Sequence, residues 1–313
     1  MSSTVNVKKL KRELLVAALS VVIAAVALTS STYAWYVSNN TVKGTTSTVS
    51  AMANGMVLQI VEGDTPDHGS DTSTIASGKG HEISPASTDD ITTWYVPKSW
   101  KGTDVNTYYN PMPDVTGMYE ENSKKYYAYT VAQYTLYTVN NTGVADVYLD
   151  NSIAEGPVKV TASDGASPEW FEKIKGSIRV GIVIGDQLKV VYAPLAPSET
   201  EGGNDVNKTI GWSCVDESKS KTKIPTYSHI SGTDTIDQHG NNWGAGRTGD
   251  SYTKPTGNAS KIADRVDYNG VSMKIYVWME GTDSDCVNMN GLEEGADAPT
   301  FDVTVSLVGI VAE

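Results

Sequence analysis

Phenylalanine is almost missing from this chain: 313 residues contain two, Phe171 and Phe301, against 17 tyrosines and 7 tryptophans. Cysteine is as scarce, with Cys214 and Cys286 alone, so at most one intrachain disulfide can form. Histidine occurs four times, at 68, 81, 229 and 239, and no HExxH pair sets two zinc ligands on one helical face. No GxSxG elbow and no glycine-rich phosphate loop opening a helix is present. Beyond residue 12, clustered Lys and Arg are also lacking, and the net charge is −13. That excludes nucleic acid as a partner, because displacing phosphate counterions needs dense positive charge. After Val37 helical periodicity is nearly absent too.

What the chain does have begins at its N-terminus. Lys8, Lys9, Lys11 and Arg12 form a basic cluster, and Leu14 to Thr29 follows as sixteen uncharged residues, LLVAALSVVIAAVALT. Small residues then lead to Thr32-Tyr33-Ala34, which fits a cleavage site with small side chains at −3 and −1. Residues 1–34 thus read as the signal helix of an exported protein, secreted or held at the cell surface, with a signal peptidase cutting between Ala34 and Trp35. The competing reading is an uncleaved anchor, the one route by which this protein would contact a membrane. A sixteen-residue helix spans only about 24 Å of a hydrocarbon core roughly 30 Å thick. The uncharged stretch continues to Val37, however, so a tilted helix ending at Trp35-Tyr36 reaches across. Cleavage removes four basic residues and Glu13 and leaves a mature chain near −16, suited to a soluble surface protein.

Abundant Tyr, Trp, Thr, Val and Gly favour strands and turns. Strand candidates are 56–61, several segments within 126–192, 271–280 and 301–311. In the last, Phe301, Val303, Val305 and Leu307 alternate with Asp302, Thr304 and Ser306. Two hairpins are expected: Leu136–Val139 returning through Asn140-Asn141-Thr142-Gly143 to 144–149, and 178–184 returning through Gly185-Asp186 to 188–192. One helix is expected over 168–175, capped by Ser167. The sum is a mainly β chain of roughly seven antiparallel strands, a β-sandwich. Its organisation reads as a leader at 1–34, an extended segment at 35–55 and a single sandwich domain at 56–313. Long polar insertions interrupt that domain at about 63–125 and 193–264.

Several groups merit a functional reading. Cys214 and Cys286 are candidates for a disulfide closing a loop of about 72 residues, and equally for two free thiols. The acidic run Glu280-Gly281-Thr282-Asp283-Ser284-Asp285, followed by Asn288 and Asn290, offers oxygen ligands for calcium, but an EF-hand loop fails at Val287; a polar turn after a buried strand is the plainer account. Tyr108, Tyr109, Tyr119, Tyr126, Tyr127 and Tyr129 are either an aromatic platform for surface glycans or half-buried strand residues. No cofactor is implied and no catalytic set emerges. No sorting motif or second apolar span follows Val311.

The string TYAWYVSNNTV behind an apolar leader resembles the cleavage region of exported proteins processed by SipW-type signal peptidases. The later string IYVWMEGTDSDC, with Trp278, Glu280, Gly281, Asp283 and Cys286, is similar to a signature of the TasA and camelysin relatives, and Val191-Tyr192-Ala193-Pro194 fits a further slot. The resemblance covers the leader and three core stretches, and the long insertions lie outside it. It implies a jelly-roll-like sandwich, non-enzymatic, self-associating into extracellular matrix fibres in a biofilm. It also implies strand donation by the mature N-terminus, for which Trp35, Tyr36, Val37 and Val42 are the pocket-filling candidates. A loose tail is the alternative for the same residues. The camelysin branch further implies a metallopeptidase, which no zinc-ligand motif here supports.

Overall fold

The computed structural model describes residues 42–53, 58–69, 73–75, 80–88, 90–97, 108–109, 113–121, 123–153, 156–163, 165, 167–193, 226–227, 244–248, 251–253, 260–280, 286 and 300–312. The chain is mainly β. It opens with β1 (Val42–Ala53) and β2 (Leu58–Glu62). The first polar insertion then carries seven short strands: β3 (Thr74–Ile75), β4 (Gly80–Ile83), β5 (Ser87–Thr88), β6 (Trp94–Pro97), β7 (Tyr108–Tyr109), β8 (Met118–Glu121) and β9 (Lys124–Tyr127). Next come β10 (Thr130–Thr138), β11 (Ala145–Asp150), β12 (Val158–Ala162), helix α1 (Pro168–Ile174), β13 (Ile178–Ile184) and β14 (Gln187–Tyr192). The second insertion contributes β15 (Thr226–Tyr227), β16 (Gly244–Thr248), β17 (Ser251–Thr253) and the start of β18 (Ala263–Val266). The long strands β19 (Val271–Met279) and β20 (Thr300–Val311) complete the set. Among the described residues twenty strands thus stand where roughly seven were expected. Of the extra ones, β1 is twelve residues long, in the segment expected only to be extended, and the others are two to five residues long in largely polar sequence, where alternation gives no signal.

Two sheets hold most of these strands. One has nine, with the path β17-β16-β11-β20-β1-β3; β12 adds to β20, β18 to β11 and β4 to β1. The other has six, in the order β15-β14-β13-β19-β10-β2. One hydrophobic core draws on both. Val147, Leu149, Val158, Val303, Val305 and Leu307 come from the first sheet, and Leu58, Ile60, Leu136, Val180, Ile182, Ile275 and Val277 from the second. Each such side chain contributes about 1.5–3 kcal/mol when fully withdrawn from water. Pairing is mostly antiparallel, but β1–β20, β11–β16 and β14–β15 run parallel.

The expected hairpin at 178–192 forms, with Ile184 opposite Gln187 and Gly185 at φ 59° in the two-residue turn. The expected hairpin at 136–149 does not. Gly143 N–H bonds the Asn140 carbonyl at 3.0 Å, so the turn exists, but β10 belongs to the six-stranded sheet and β11 to the nine-stranded one. The six residues between them cross the core instead of returning beside β10. Sheets packed face to face lie about 10 Å apart, and this connection is long enough to bridge them. It lets Tyr134 and Leu136 face Val147 and Leu149 across one interior. Helix α1 forms as expected, with Ser167 at its N-cap position making no side-chain cap bond. Among the described residues no helix is long and apolar enough to cross a membrane.

Candidate functional site

On β13 and β19 alternate residues face away from the main core, and the first insertion covers part of that face. Ala86, Trp94, Val96, Tyr119, Ala128 and Tyr129 pack with Val191 and Trp278 into a second buried cluster. Trp94 meets Trp278 edge to face at 5.7 Å and Tyr129 at 4.5 Å. Gly181 makes room for the Trp278 ring: a Cβ there would stand 3.2 Å from Cζ3.

The residues singled out in the sequence separate within this arrangement. Trp278 is fully buried, and its Nε1–H donates to Glu280 Oε2 at 3.3 Å. Glu280 is 1% exposed; its backbone N–H bonds the Ser177 carbonyl at 2.7 Å, and Ala86 bridges to it from the insertion. Arg179, opposite Trp278, is equally buried and donates to the carbonyls of Gly176 and Ile178. The backbone holds the insertion to the sheet here, through the Ala86 N–H to the Met279 carbonyl at 3.0 Å, and both charged side chains are buried with hydrogen-bond partners beside them. Cys286 lies instead in the main core. Cys214, Gly281, Asp283, Asn288, Asn290, Tyr33, Ala34, Trp35, Tyr36 and Val37 lie outside the described residues, as do the cleavage site and any pairing of Cys214. Val42 opens β1 with its backbone opposite Ile83, and β1 follows β20 in parallel over ten paired positions, from Lys43 with Thr300 to Ala53 with Gly309.

The tyrosines also divide. Tyr108 and Tyr109 form β7, paired to Pro97 and Val96. Tyr119 and Tyr129 are buried at 6% exposure, and Tyr126 and Tyr127 are half-buried. Buried residues of a second core, Tyr119 on β8 and Tyr129 in the link between β9 and β10, describe these two better than a sugar platform does. Among the described residues no group of three His, Cys, Asp or Glu side chains converges as a metal site would require.

Beyond the covered part, the outer face of the six-stranded sheet carries a groove of about 1100 Å³. Its floor is the β10–β19 ladder, where Val131 pairs with Tyr276 and Gln133 with Lys274. One wall is the loop Glu62-Gly63-Asp64, fixed by the Gly63 N–H to the Gln133 carbonyl at 2.9 Å. The other is Pro113-Asp114-Val115, fixed by the Tyr129 hydroxyl donating to the Asp114 carbonyl at 3.1 Å. The Asp114 carboxylate accepts from the Thr116 hydroxyl at 2.7 Å and from the N–H groups of Thr116 and Met118. Those bonds lower its pKa, the Thr116 hydroxyl most. Burial pushes the Tyr129 phenol up to about 12 and raises that of Tyr276, so both stay protonated. The groove was invisible in the sequence because its parts come from four separated stretches. The one local sign was the polar-aromatic pattern of β10 and β19.

No family model, curated protein or solved structure matches this chain.

Proposed function

We propose that the protein is exported and works as a non-enzymatic structural subunit of the cell surface or extracellular matrix. In this reading it is a jelly-roll-like relative of the TasA and camelysin proteins and joins its copies by strand donation. The observation that carries the reading is the parallel ladder between β1 and β20. A parallel neighbour cannot be the product of a tight turn, so β1 is added to the C-terminal strand much as a separate peptide is added to a sheet edge. A segment donated by another copy can form the same hydrogen bonds, and the asymmetric contact that results propagates as a filament. The uncharged residues 35–41 ahead of β1 extend that segment once a signal peptidase has cut after Ala34.

Two measurements test this. Amino-terminal sequencing of the exported protein should give Trp35 as the first residue. Electron microscopy of the concentrated mature protein should show filaments. Val49→Pro, which removes a ladder N–H opposite Val305, should abolish them. A protein that stays monomeric at high concentration with residues 35–53 intact overturns the fibre reading, and retention of the leader turns it into a tethered surface protein.

A further inference from the structure

We propose that the groove over β10 and β19 binds a neutral glycan chain. This goes beyond the assembly reading and does not depend on it, since β1 lies in the other sheet. The floor offers three kinds of contact within two cross-strand pairs. Tyr276 gives a half-buried ring, held edge-on by Tyr129 at 5.1 Å, and Gln133 and Lys274 stand opposite each other. Opposed side chains in an antiparallel pair have Cβ atoms about 5 Å apart, so amide and ammonium act on the same stretch of ligand. The Lys274 ammonium, the Gln133 side-chain amide and the Tyr276 hydroxyl have no hydrogen-bond or ion-pair partner among the described residues.

The walls supply the opposite polarity through Glu62, Asp64 and Asp114. Carboxylates accept only, ammonium donates only, and the amide does both. A hydroxyl is donor and acceptor at once, so a polyhydroxylated chain uses walls and floor together. An anionic polymer meets three carboxylates on a protein of net charge −13, and a cationic peptide meets Lys274 in the middle of its track. The C–H face of a sugar ring suits Tyr276, and Val115, 90% exposed on the rim, extends the apolar contact. A volume of about 1100 Å³ lies above the usual small-molecule range of roughly 300–1,000 Å³, which suits several linked rings.

The test is calorimetric titration of the mature protein with hexamers of β-1,4-linked glucose, β-1,4-linked N-acetylglucosamine and α-1,4-linked glucose, beside a lysine-rich decapeptide. At least one hexamer should bind. Tyr276→Ala should weaken binding about tenfold, and Gln133→Ala and Lys274→Ala each about fivefold, in line with loss of a stacking ring or one hydrogen bond. Gln133 is exposed, so Gln133→Ala keeps the test valid if Tyr276→Ala fails to fold. Three results overturn the proposal, the first two being no hexamer binding at millimolar concentration and binding unchanged in both Gln133→Ala and Lys274→Ala. A third is tighter binding of the decapeptide than of every sugar, strengthened by Lys274→Ala, which would make the groove a cation-binding track.

Discussion

The indole N–H of Trp94 donates to the carbonyl of Ile91 at 2.9 Å, and Ile91 holds a φ of 56°, a left-handed conformation that β-branched residues avoid. The turn around it explains how that conformation is kept. Thr88 Oγ1 accepts from Ile91 N–H at 2.8 Å and donates to the Thr93 carbonyl at 2.7 Å. Asp90 Oδ1 accepts from the N–H groups of Thr92 and Thr93. The bond to Trp94 therefore links a strained turn to the cluster that seals Trp278. Trp94→Phe removes ring volume and leaves the Ile91 carbonyl without its indole donor. It should cost about 2–4 kcal/mol, read as a lower midpoint in urea denaturation. Trp278 emission should shift to the red as its cover loosens.

Gly117 stands at φ 84°, and a Cβ there would lie 2.7 Å from the Tyr129 carbonyl and 2.9 Å from its ring. Alanine meets both a disfavoured backbone and a backbone atom that cannot swing aside. Gly117→Ala should therefore destabilise the protein by at least about 2 kcal/mol in thermal denaturation. Gly63, also at positive φ, meets nothing within 4 Å. Gly63→Ala should cost only the backbone share, about 1 kcal/mol.

Asp146 is 2% exposed; it accepts from Lys261 Nζ at 2.6 Å and from the Arg265 N–H at 3.1 Å. Lys261→Met leaves that carboxylate buried without its cation. The loss should be about 2–3 kcal/mol, the low end for a broken buried pair because a third of the lysine side chain is solvated. Adding Asp146→Asn should recover part of it, since the neutral amide needs no counter-charge; a double-mutant cycle measures the difference.

Acid should weaken the fold through Asp114 and Asp264. Both carboxyls are held below their usual pKa, Asp114 chiefly by the Thr116 hydroxyl and Asp264 chiefly by Lys261. A lowered folded pKa means that the ionised group favours the native state. Its contribution is complete above the unfolded value near 3.9 and disappears as pH falls through the folded value. Melting temperature should therefore drop between about pH 5 and pH 2, and less steeply in Asp114→Asn. Equal slopes for the two proteins would remove Asp114 from this account.

Some of this was readable from residues alone. The alternation of Phe301, Val303, Val305 and Leu307 gives β20 its buried face, and Gly185-Asp186 gives the β13–β14 hairpin, because period and turn chemistry are local properties. The candidate groove was not readable: Glu62, Asp114, Gln133 and Lys274 are polar residues without a motif, and only sheet register sets them around one hollow.

The sequence by itself determined that the chain is strand-rich, that strands lie at 271–280 and 301–311, and that a basic cluster, an apolar run and small residues precede them. Tertiary structure alone decided which sheet each strand joins. The turn at Asn140–Gly143 reverses the chain in either case, but β11 crosses to the other sheet because Val147 and Leu149 must bury against Tyr134 and Leu136 from the far side. The parallel seat of β1 on β20 and the burial of Glu280 and Arg179 have the same origin. Burial is shared among distant segments, and no single stretch of sequence encodes its partner.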